Sequence, residues 1–135
     1  MPFTGNFTCN SFKSGLIDGD FDFDTDTFKI ALYTNAATLN ADTAIYTTSG
    51  EVSGSGYTAG GNTLTVSKGI TSGTAFITFA DTSWSAAITA RGALIYKDGG
   101  ATVCVLDFGS DKTSTTTFSV DFPVASSTDA LIRLS

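Results

Sequence analysis

Apolar and polar residues alternate in short runs along most of this chain, and the runs are separated by glycine, aspartate, serine and threonine. That texture predicts strands, because side chains on an extended backbone point alternately to opposite faces. Phe28, Ile30 and Leu32 fall on one face of the run Phe28 to Tyr33. Thr63-Leu64-Thr65-Val66-Ser67 alternates strictly, which turns Leu64 and Val66 toward a core and the hydroxyls toward water. Ala75 to Ala80 is the next such run. Arg91 to Lys97 and Ala101 to Phe108 flank Asp98-Gly99-Gly100, whose Asp-Gly step suits a tight turn, so these two are expected to pair antiparallel. Phe118, Val120 and Phe122 line a further strand that Pro123 limits, and Ala130 to Leu134 forms the last. The fold predicted is all-β: a single-domain antiparallel β-sandwich or jelly-roll-like domain with a short N-terminal arm or helix.

Two segments break the alternation. Asn10 to Ile17 places Phe12, Leu16 and Ile17 on one side of a short amphipathic helix, with Gly19 as its stop. Residues 1–19 are therefore read as an N-terminal arm and 20–135 as the β domain. Within that domain, Gly50, Gly54, Gly56, Gly60 and Gly61 interrupt residues 47–62 and predict a glycine-rich loop or hairpin arm that uses positive φ at several places. Loops of this length in small domains tend to be functional or mobile.

Composition narrows the picture. A chain of 135 residues fits one domain, which buries roughly two thirds of the surface its unfolded chain exposes. The longest apolar run, Gly92 to Tyr96, is far short of the roughly 18 residues a membrane helix requires, so no membrane span is expected. Met1 to Asn6 lacks the basic-then-apolar pattern of a secretory leader, and cytoplasmic synthesis is expected. Seven basic against thirteen acidic residues give a net charge of −6. The cations Lys13, Lys29, Lys68, Arg91, Lys97, Lys112 and Arg133 are scattered singly, whereas nucleic acids and anionic membranes are bound by clusters. Neither is an expected partner. Cys9 and Cys104 are too few for a disulfide framework, and Cys104 inside an apolar run reads as a buried free thiol.

The absence of histidine removes most acid–base, triad and zinc chemistry and leaves carboxylates. Asp18, Asp20, Asp22, Asp24 and Asp26 recur at every second position with Phe21 and Phe23 between them. In an extended strand the carboxylates share one face and the rings the other. Asp18, Asp20, Asp22 and Asp24 are candidate Ca²⁺ or Mg²⁺ ligands, against the commoner meaning of a solvated edge that repels strand addition. The spacing is not that of an EF-hand: counted from Asp18, Phe23 takes the glycine position and Lys29 the glutamate position. Asp107-Phe108-Gly109 matches a kinase tripeptide without the accompanying motifs, and the glycine pairs are followed by no Lys-Ser/Thr that would make a phosphate cradle. No cofactor is implied. Glycosidase carboxylates can lie far apart in a chain, but one Trp, four Tyr and no His are a thin supply for a sugar cleft. Trp84 belongs to the core of a small β domain or serves as an exposed anchor, the core being its commoner place.

Phe3, Phe7 and Phe12 lie where strand signals are few, and three rings are costly to leave in water. Docking of this arm on another subunit or protein is the expectation. The glycine-rich loop around Val52 and Tyr57 is the second expected contact.

Asp24 to Thr34, Gly50 to Gly61 and Thr89 to Tyr96, together with Val105 to Asp111 and Ala130 to Arg133, resemble a family of small structural proteins of tailed bacteriophages common among marine and cyanobacterial phages. The likeness runs over nearly the whole chain. It implies a non-enzymatic virion component and carries no catalytic residues. Among virion roles it points to a head decoration, or cement, protein on the capsid surface, bound to the major capsid protein and self-associated as a trimer. A tail, neck or fibre component is the alternative, and a carbohydrate-binding or carbohydrate-hydrolysing β-sandwich a lesser one.

Overall fold

The computed structural model describes Phe3 and residues 5–135. A short strand β1 (Phe7–Thr8) leads into helix α1 (Asn10–Asp18), followed by β2 (Phe28–Tyr33), β3 (Asn62–Leu64), β4 (Val66–Thr71) and β5 (Thr74–Phe79). Then come β6 (Thr82–Trp84), β7 (Thr89–Lys97), β8 (Thr102–Thr113), β9 (Phe118–Val120) and β10 (Ile132–Leu134). Every pairing is antiparallel. The strands form a five-stranded sheet in the order β1-β8-β7-β2-β3, a three-stranded sheet β10-β5-β4 and a two-stranded sheet β6-β9. The fold is thus an all-β sandwich with a short N-terminal helix.

The large sheet is covered on both faces, which explains why β7 is buried from Ala90 to Tyr96 instead of alternating. On one face Phe28, Ile30, Leu32, Ala93, Ile95 and Val103 pack against Phe79, Trp84, Phe118, Val120 and the helix residue Phe12. On the other, Ala31, Tyr33, Leu94, Tyr96 and Val105 pack against Phe3, Cys9, Ala37 and Leu39. Alternate residues of β2 and β7 serve the two clusters, as the period of two requires. Trp84 is a core residue, and both thiols are free and buried. Burial raises the pKa of each, for Cys104 far above the usual thiol range.

Local chemistry accounts for the turns. Gly99, at φ 74°, lies in the β7–β8 turn predicted from Asp98-Gly99-Gly100. Gly19 stops α1 in the left-handed region, with its neighbour Asp20 donating back to the Gly15 carbonyl. The alternation from Thr63 to Ser67 is divided at Thr65: Leu64 ends in the large sheet, and Val66 begins a hairpin in the three-stranded one. That hairpin turns at Ser72 and Gly73, both at positive φ.

Candidate functional site

The N-terminal arm is part of the domain's own core, which corrects the expectation that its rings dock elsewhere. Phe3 is fully buried. Its ring lies over Gly92, where a side chain would meet it at 2.4 Å, and beside the Arg91 guanidinium, 5.8 Å from the ring centre. Arg91 pairs with Asp107 at 3.0 Å, and Asn6 accepts a 2.6 Å hydrogen bond from the Asp107 amide. Asp107 therefore fixes this arm. Phe12 is buried among the rings of Phe21 and Phe23. Phe7 is half-buried at the sheet edge, opposite Val105. The physical reason is register: a strand as short as β1 carries little signal of its own, and its partner lies almost a whole chain away.

Val52 and Tyr57 are also buried, so the glycine-rich loop does not offer them to a partner. It wraps a polar hub. The chain's single glutamate, Glu51, accepts hydrogen bonds from the hydroxyls of Tyr46 at 2.5 Å and Tyr57 at 2.7 Å and from the Gly60 amide at 2.8 Å. Tyr57 oxygen also accepts the Leu32 amide at 2.9 Å, and Tyr96 donates to the Gly60 carbonyl at 2.7 Å. Tyr33 donates to the Thr47 carbonyl at 2.6 Å, so the hydroxyls of all four tyrosines of the chain are hydrogen-bonded, two of them to Glu51. Burial first, then Glu51, through its hydrogen bonds to Tyr46 and Tyr57 and its charge near Tyr33 and Tyr96, lifts the phenols above their ordinary range, Tyr96 to about 12. All five glycines from Gly50 to Gly61 adopt positive φ. At Gly61 an added side chain would lie 1.8 Å from the Ile30 carbonyl oxygen.

The aspartate comb does not form the expected extended strand. Asp22 accepts the Asp24 amide at 2.9 Å and Asp26 accepts the Asp22 amide at 2.8 Å, which curls residues 22–26 into a turn. The Asp24 amide, and after it the Thr25 hydroxyl, lower the Asp22 pKa. The carboxylates diverge: Asp24 pairs with Lys68 at 2.9 Å and Asp26 with Lys97 at 3.1 Å. Among the described residues, no three acidic or thiol side chains gather as a metal site would require, so the candidates Asp18, Asp20, Asp22 and Asp24 are not brought together as one. The rings between them do face inward, Phe23 stacking on Phe28 at 4.5 Å.

One of the open clefts of the surface lies where the sandwich edge brings α1 and β1 opposite β10. Two adjoining clefts of about 390 and 120 Å³ share Thr8, Leu131 and Ile132 and form one groove. Phe7, Leu16, Leu106 and Leu134 complete its apolar lining, with Leu134 itself 52% exposed. Among the described residues both flanking strands are edges: β1 pairs only with β8, and β10 only with β5. Lys13 and Arg133 stand at its lip, and among the described residues neither pairs with a carboxylate. Of these residues, sequence reasoning singled out Phe7 and Phe12 but missed the C-terminal wall, because a run of apolar residues does not reveal which strand is an edge. Compared with protein-family models, with curated proteins and with solved structures, the chain matches none of them.

Proposed function

We propose that this chain is a non-enzymatic structural protein of a tailed-phage particle, and within it a head decoration protein that binds the major capsid protein on the outer shell. The resemblance of its sequence runs supplies the particle. The groove between β1 and β10 is the observation that supports a binding role: an apolar channel between two unpaired strand edges favours capture of another protein's segment. The interior supports it from the other side, since Glu51, the tyrosines, Asp107 and the aspartate turn are each engaged in holding the fold. A shell protein present in many copies benefits from such a rigid body, and self-association as a trimer is part of the proposal.

Copy number tests it. Quantitative gel densitometry of purified particles is expected to give hundreds of copies, with immunogold label over the head. A handful of copies, or label confined to the tail, would replace the decoration role with a tail, neck or fibre role. Sedimentation equilibrium of the isolated protein checks the trimer.

A further inference from the structure

We infer that the groove between α1/β1 and β10 takes an extended peptide segment with apolar side chains at alternate positions and carboxylates at its ends, added as a strand to the edge of β10. The shell protein as the source of that segment rests on the reading above; the chemistry of the segment does not.

Three observations carry it. First, the outer edge of β10 offers backbone groups that no strand among the described residues pairs, and its register on β5 (Ile132 opposite Ile77, Leu134 opposite Ala75) already holds it extended. A strand added there continues the three-stranded sheet with ordinary main-chain hydrogen bonds. Second, Leu16, Leu131, Ile132 and Leu134 line the same groove, so alternate side chains of an incoming strand find apolar surface. Third, the charge at the lip is opposite to that of the protein as a whole. The chain carries −6, yet the two ionic groups lining this groove, Lys13 and Arg133, are both cationic. Lys29, Lys68, Arg91 and Lys97 are by contrast each paired with an aspartate. Two cations without a carboxylate partner among the described residues, Arg133 donating only to the Thr128 carbonyl, stand beside an apolar channel and favour a ligand with carboxylates flanking an apolar centre.

The full-length protein, isotopically labelled, is titrated with a capped peptide of about six residues, a usual strand length, alternating valine and threonine between terminal aspartates. Amide shifts are expected at Thr8 and from Leu131 to Leu134. A twin peptide with terminal lysines should bind about fivefold more weakly, the size two exposed ion pairs allow. The double variant Lys13→Glu/Arg133→Glu, whose changes are both at exposed positions, should reverse that preference while its melting curve stays unchanged. Equal affinity for the two peptides, or shifts confined to other strands, would overturn the inference. So would a concentration-dependent dimer that pairs β10 with β10 of a second copy. Retention on undecorated shells is measured in parallel. Peptide binding without shell retention leaves the groove and removes the shell reading. Equal shell retention of the wild type and the double variant removes the groove and leaves the shell.

Discussion

The hub around Glu51 and the groove beside β10 are built from similar materials, aromatic and aliphatic side chains with a few charges, and they end in opposite conditions. In the hub every tyrosine hydroxyl has a partner and glycines let the backbone close over a carboxylate. In the groove, strand edges are left unpaired and, among the described residues, two cations have no carboxylate partner. A small domain thus separates the surface that specifies its fold from the surface free to meet another molecule. Buried polar groups that are fully satisfied fix one structure, while unpaired edges create a site for addition.

The comparison breaks first at Gly61. Gly61→Ala puts a methyl group into the Ile30 carbonyl at a positive φ and is expected to cost more than about 4 kcal/mol, read as loss of soluble folded protein. Phe3→Ala removes a fully buried ring from above Gly92 and should lower unfolding free energy in urea by about 4 kcal/mol, which also tests whether the arm is core. Glu51→Ala leaves two tyrosine hydroxyls and the Gly60 amide without an acceptor, for a loss of about 3 kcal/mol.

Alkaline pH sharpens the same contrast. The folded-state phenols are raised, so their contribution is fully present below the unfolded value of about 10 and is lost as pH rises toward the folded value, about 12 for Tyr96. Urea midpoints should be level up to pH 10 and fall beyond it; midpoints still level at pH 12 would contradict burial of the hub. Smallest in stability is Leu134→Ser. A side chain already half in water should cost less than about 0.5 kcal/mol in the isolated protein, yet weaken retention on shells.

What could be read from the sequence was what local chemistry decides. The alternation of Phe28, Ile30 and Leu32, the Asp98-Gly99-Gly100 turn, the helix ending at Gly19 and the positive-φ glycines of residues 47–62 all follow from neighbours within a few positions. The aspartate comb was misread because period two alone does not choose between a strand and a turn; the side chain of Asp22 bonding the Asp24 amide decides it. The arm was misread because the site that receives Phe3 is made by Gly92 and Arg91, far along the chain. The hub left a trace, a lone glutamate within the glycine-rich segment, but its tyrosines come from four separate places. The groove left none, since it depends on strand order.

That β1 and β10 come first and last along the chain has a consequence for biosynthesis. β1 must wait for β8, and the far wall of the groove appears only when β10 has settled on β5. A ribosomal product released before Ile132 would lack the β10 wall of the groove, however much of the sandwich it had formed. Recruitment through this groove would act as a proofreading step, admitting finished subunits and leaving truncated ones behind.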